Sequence, residues 1–168
     1  MATPFVGKRR PPRMRWAAVL MTVVAFVSPA LAADPRGTWL TQDKDAALTI
    51  SACGSQLCGQ IIWLESATDQ RGTLRLDENN PDPGKQSQRI CGLVVIKGLA
   101  PSGPDTWTGT VYNPEDGQTY QGSITVLSDD ALKVRAYIAL PIFGKNQTWS
   151  RVNGPAADGL AYNCRNRG

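Results

Sequence analysis

The stretch Ile50-Ser-Ala-Cys53-Gly-Ser-Gln-Leu-Cys58-Gly-Gln-Ile-Ile-Trp63-Leu64 sets two apolar runs on either side of a tight turn, with a cysteine at each end of that turn. A bond between the two cysteines fixes the register of a β-hairpin covalently. Register matters because a slip of one residue moves every side chain to the other face of the sheet. With unbroken alternation, Ile61 and Trp63 share one face, the inward one. The hairpin therefore specifies a wall, and it carries no reaction.

The rest of the chain after Ala33 reads the same way. No long 3.6-residue apolar period appears, and short β-prone runs alternate with Gly, Pro, Asn and Asp clusters. That is the pattern of an all-β sandwich or barrel. Strands are expected at residues 37–40, 47–51, 58–64, 91–96, 107–113, 120–126, 132–138 and 147–152. Residues 101–105 read as a turn, and Gly117 as the left-handed exit of another. On the seventh strand Leu132, Val134, Ala136 and Ile138 point one way, and Lys133, Arg135 and Tyr137 the other. The same alternation sets Tyr120 inward and Tyr112 outward. Residues 65–89 form a long polar segment, and loops of that length are usually functional or poorly ordered. Eight strands joined mostly by short turns favour an antiparallel up-and-down barrel, which closes on itself and leaves no edge. Its interior is either filled by side chains or holds one small ligand.

Residues 1–32 read as a secretory signal peptide. Lys8, Arg9, Arg10, Arg13 and Arg15 form a basic start without an acid, residues 16–27 are apolar, and Ala30-Leu31-Ala32 is a small-residue cleavage site. The apolar run is too short to span a bilayer as a mature helix, so the mature chain has no integral membrane segment. Residues 33–168 then form a single domain in the periplasm or outside the cell. The precursor carries 18 Lys and Arg against 14 Asp and Glu, and losing five cations leaves 13 against 14. The basic balance belongs to the export signal, which removes the main support for a nucleic-acid partner.

Four cysteines remain, Cys53, Cys58, Cys91 and Cys164. An even count in an exported chain reads as two structural disulfides, with three connectivities available. Proximity favours Cys53–Cys58, which leaves Cys91–Cys164 to tether the C-terminal tail. A four-cysteine zinc site is disfavoured, because two of the cysteines are isolated and no C-x-x-C knuckle is present. Calcium fits no better: Asp77-x-Asn79 opens like a calcium loop, but Pro81 takes a ligand position and the distal Glu is missing. Neither metal nor other cofactor is expected.

Histidine is absent from the chain. That excludes Ser-His-Asp and Cys-His catalysis and histidine acid–base chemistry. The acid pairs Asp77/Glu78, Glu115/Asp116 and Asp129/Asp130 lie in turns, where solvated carboxylates are the rule. A hydrolase acting through two carboxylates is thus the third-ranked reading, and no catalytic residue is assigned.

Two further features point to binding. Gly37-Thr-Trp39 opens the first strand and Trp149-Ser-Arg151 lies on the last, so a barrel would let Arg151 stack on Trp39 and plug one end. This pair resembles the Gly-x-Trp and late Arg of lipocalins. Leu140-Pro-Ile-Phe143 is an apolar loop that must fold over a barrel end or meet another molecule. Trp63, Tyr120 and Phe143 are the candidate ligand-binding residues.

The motifs jointly resemble a bacterial family, domain of unknown function 2147, from Pro35 to Val152. The resemblance rests on Gly37-Thr-Trp39, the stapled hairpin, Asp77 with Asn80-Pro81, Gly92-Leu93, Tyr112-Asn-Pro-Glu-Asp-Gly117 with Tyr120, and the run from Leu140 to Arg151. It implies a small exported protein with a lipocalin-like barrel and no established enzymatic activity. Two departures stand out: Ala136-Tyr-Ile-Ala139 where the family tends to Gly-Tyr-x-Gly, and Lys145 where Arg is commoner. The leading expectation is a non-enzymatic binder of a small hydrophobic or amphipathic molecule. The alternative is a cell-envelope interaction module with a filled barrel, using a protein partner or self-association.

Overall fold

The structure is a computed structural model that describes residues 33–137 and 144–154, together with 156, 157, 159, 160 and 164. The expected signal segment 1–32, Ile138 and the apolar loop with Phe143 lie outside the described residues. Eight antiparallel strands close into one barrel in chain order. They are β1 (Gly37–Leu40), β2 (Ala46–Cys53), β3 (Gln56–Leu64), β4 (Val94–Gly103), β5 (Thr106–Asn113), β6 (Gln118–Ser128), β7 (Ala131–Tyr137) and β8 (Lys145–Val152). The expected barrel is the observed one, lipocalin-like in its single eight-stranded meander.

Period-two patterning explains the core. Leu48 and Ile50 on β2, Ile124 on β6, and Leu132 and Val134 on β7 are buried, and Lys133 between the last two is exposed. Cross-strand registers stack these residues in layers, with Leu132 opposite Trp149 and Val134 opposite Gln147. Along β6 to β8 one face is thereby largely removed from water, whereas on β2 and β4 the adjacent pairs Ala47–Leu48 and Val95–Ile96 are buried on both faces.

Two expectations need correction. β4 runs from Val94 through Pro101 to Gly103, whereas the sequence suggested a strand over 91–96 and a turn at 101–105. Register shifts between Lys97 and Ala100 and between Pro101 and Gly103 let the strand bend and continue, and irregular pairing is where a strand tolerates proline. On β3 a shift of register against Ala47/Leu48 pairs Leu48 with Ile61 but Ala47 with Trp63. The extra residue inverts the parity, so Ile61 and Leu64 are buried and Trp63 moves to the other face.

The two ends of the barrel differ. One, the closed end, carries the short β2–β3, β4–β5 and β6–β7 turns. The other, the open end, carries the β1–β2 turn, the residue 65–93 excursion, the β5–β6 turn and the β7–β8 connection. Disulfides join Cys53 to Cys58 at the closed end and Cys91 to Cys164. Cys91 lies just ahead of β4 at the open end, whereas β8 finishes at the closed end. After Val152, Ala156, Ala157, Gly159, Leu160 and Cys164 adopt helical conformation, and Cys164 meets Cys91 in its bond.

β1 is the shortest strand, and its pairing with β8 covers only Thr38–Val152, Trp39–Arg151 and Leu40–Ser150. Beyond Leu40 the amide of Thr148 donates instead to the side-chain oxygen of Gln42, at 3.0 Å.

Candidate functional site

At the closed end Arg151 does what its position on the last strand suggests. Its guanidinium lies 4.1 Å from the centroid of the Trp39 ring. It donates to the carbonyls of Arg36 at 2.7 Å and Asp34 at 3.2 Å, and also to that of Asp129. Trp39 is fully buried, and its indole N–H donates to the carbonyl of Pro35 at 2.8 Å. Arg151 is half-buried, and a cation on a tryptophan face that water still reaches contributes about 0.5–1 kcal/mol. Gly37 makes room for this arrangement: its φ is +130°, and a Cβ there would collide with Arg151 Nη1. The closed end is a plug.

The open end has space instead. A hollow of about 630 Å³ is lined by Val111, Tyr120, Val134, Ala136, Lys145 and Trp149, with Tyr112, Asp116, Tyr137 and Gln147 completing its wall. A second hollow of about 340 Å³ reaches from Leu48, Ile61 and Leu64 to Arg75 and Ile90, and shares Val111, Tyr112, Gln147 and Trp149 with the first. Tyr120 belongs to the wall as the alternation predicted, facing inward opposite Val111. Trp63 is not among the described residues lining either hollow, because the β3 bulge turns it away. Phe143 lies outside the described residues.

Tyr112 and Tyr137, read from alternation as outward, both line the larger hollow. Tyr112 does keep the outer parity on β5, paired with Thr119. The long β3–β4 segment folds against that patch of sheet, however, and converts an outer face into an interior one. Asp77, fully buried, accepts from the Tyr112 hydroxyl at 2.6 Å and from the Asn80 side-chain amide at 2.6 Å. Burial and the hydrogen bond to Asp77 push the Tyr112 hydroxyl up to about 12. Asn80 also accepts from the backbone of Asp82 at 2.9 Å, an Asx turn, with Pro81 between them. Further contacts pin the segment to the β5–β6 turn: the Asn79 side chain donates to the Glu115 carbonyl at 2.9 Å, and Arg75 pairs with Glu115. Gly117, with φ +70°, sits where a Cβ would run into the Asn79 carbonyl. The Asp77, Asn80 and Pro81 motif thus builds one side of the open end.

Within the hollow the Tyr120 hydroxyl donates to Asp116 at 2.6 Å, and the Gln118 amide donates to the same carboxylate at 2.9 Å. Burial pushes the Asp116 carboxyl up, but these hydrogen bonds outweigh it and leave the group below its ordinary value. Sequence reasoning missed Tyr112, Asp116 and Trp149 as wall residues. The Asp-x-x-x-Tyr spacing of Asp116 and Tyr120 was the available signal for Asp116, whereas Tyr112 bonds to Asp77, which no local spacing reveals. Among the described residues no cluster of acids and cysteines has metal-binding geometry.

The family described as "Uncharacterized protein conserved in bacteria (DUF2147)" matches residues 37–151. Among solved structures, the chain is similar to protein HP1028 from the human pathogen Helicobacter pylori, described as belonging to the lipocalin family. The two share 22% identity at a TM-score of 0.64, over 76% of this chain and 89% of that one. A likeness at that identity is one of fold. Comparison with curated proteins finds no match. The chain belongs to the DUF2147 family, and its barrel is lipocalin-like.

Proposed function

We propose, with that family membership as premise, that this protein is an exported, non-enzymatic binder of a small hydrophobic or amphipathic molecule. One observation carries the reading: the barrel is plugged by Trp39 and Arg151 at one end, and leaves about 630 Å³ beside Tyr120 and Trp149 at the other. That volume falls within the span of small-molecule sites, about 300–1,000 Å³. Tyr120, Tyr112 and Trp149 supply aromatic walls, with Phe143 proposed at the mouth. Export is supported by the two disulfides and by the basic, apolar and small-residue order of residues 1–32. A binding role is further supported by the absence of histidine and by the pairing of every cysteine, which leave neither an imidazole base nor a free thiol.

Native mass spectrometry of protein drawn from a periplasmic fraction tests the proposal. A co-purifying apolar molecule is expected, and Ala136→Trp, which fills the hollow, should release it. Wild-type protein that carries no such molecule and takes up no apolar dye would end the reading.

A further inference from the structure

We infer that the molecule held in this hollow carries an anionic head group and that Lys145 receives it. The inference rests on the proposal that the hollow binds a ligand, and it adds the chemical class of that ligand.

Lys145 opens β8 opposite Ala136, in one row with Gln147 opposite Val134 and Trp149 opposite Leu132. Val134 and Leu132 are buried, so this row faces the interior, with Lys145 at its outermost position. The Lys145 side chain is exposed and also forms part of the wall of the hollow. A lysine so placed lays its methylene stem along apolar surface and keeps its ammonium in water.

The charges around it are unequal in availability. Asp116 is the acid in the same wall. Its two oxygens accept from Tyr120 and from the Gln118 amide, which holds the carboxylate against the β5–β6 turn without removing its charge, and it makes no ion pair with Lys145 among the described residues. In the adjoining hollow Arg75 and Glu115 neutralise each other. The other ion pairs among the described residues, Arg36–Asp34, Arg71–Asp69 and Lys85–Asp82, do not involve Lys145. Lys145 is therefore a cation at the mouth with no carboxylate partner among the described residues.

Gln147 reinforces the same polarity. Its side-chain oxygen accepts from the Trp149 indole at 2.7 Å, so its two amide hydrogens are what it offers to the hollow. A cation and an amide donor, two residues apart on one strand face, suit a group that only accepts. In the same wall Val111, Val134 and Ala136 offer no partner to a polar atom and suit a hydrocarbon tail. A carboxylate, sulfate or phosphate monoester on an apolar chain matches both halves. An alkylammonium would face a like charge, and an alcohol would forgo the charge-assisted bond.

Calorimetric titration of the oxidised protein with decanoate, decyl sulfate, decanol and decylammonium, all below micelle formation, tests this. The anions should bind at least about ten-fold tighter than decanol, the scale set by one hydrogen bond to a charged group. Lys145→Glu should abolish that preference, and a circular-dichroism spectrum and melting temperature like those of the wild type show that the variant is folded. Lys145→Arg should retain the preference. Equal affinity for decanoate and decanol, or a preference for decylammonium, overturns the inference while the hollow remains a binding site. A preference that survives Lys145→Glu overturns the assignment to Lys145. No binding of any of the four overturns the inference together with the reading on which it rests.

Discussion

The two ends of this barrel solve opposite problems with similar residue types. At the closed end a tryptophan and an arginine stack, and every strand connection but the termini is a two-residue turn. At the open end tyrosines and aspartates form hydrogen-bonded pairs, and every connection is longer than two residues. An Arg–Trp stack fills volume, since both groups are flat and polarisable. A Tyr–Asp pair instead fixes two side chains by their tips and leaves the ring faces available. The closed end stabilises the fold, and the open end pays for its space by anchoring residues 65–93 with Asp77, Asn79 and Arg75.

Substitutions can break this contrast. Trp39→Ala removes a fully buried ring and the seat of Arg151, and should cost about 3–5 kcal/mol in urea unfolding. Apolar dye uptake at the open end should survive where the variant remains folded. Next in size, Cys91→Ser with Cys164→Ser opens a loop with a sequence separation of 73, worth about 4 kcal/mol in the chain-entropy model. Removing Cys53–Cys58, with a separation of 5, should cost about half as much.

Tyr112→Phe leaves buried Asp77 short of a donor and should cost about 1–3 kcal/mol. Its signature is also spectroscopic. The folded Tyr112 hydroxyl is raised to about 12 from an unfolded value near 10, so its contribution to stability is complete below the unfolded value. That contribution is lost as the pH rises through about 12. Ultraviolet titration should show a phenol ionising near 12 in the wild type, and the variant should lack that step.

The smallest effect lies at Asp116. Its folded carboxyl sits below the unfolded value, so the stability it contributes is present above the unfolded value and fades as the pH falls through the folded one. Tyr120→Phe removes the largest of the hydrogen bonds that lower it and should flatten that acid-side decline, as read by thermal melts across the acid range.

Much of the wall was legible in the sequence because period-two alternation holds wherever pairing is unbroken. Leu132, Lys133 and Val134 sort as their pattern requires, and Trp39 and Arg151 meet because a closed meander sets first and last strands side by side. The errors fall where pairing is irregular. One bulge beside Ala47 inverts Trp63, and alternation from the Cys53–Cys58 turn has no means of registering it. Tyr112 was misread for another reason: its partner Asp77 lies 35 residues upstream in a segment without periodic pattern. Outer parity means exposure only if nothing lies on the outer face.

The brevity of β1 has a consequence for how the barrel breathes. Past Leu40 the seam against β8 is closed by one side-chain amide oxygen, that of Gln42, in place of a backbone ladder. Local opening costs least where the fewest backbone bonds must break together. Amide exchange should therefore begin at Thr148 and spread toward Asn146 before it touches Ser150 or Val152. The wall has a built-in fault line that runs alongside the hollow.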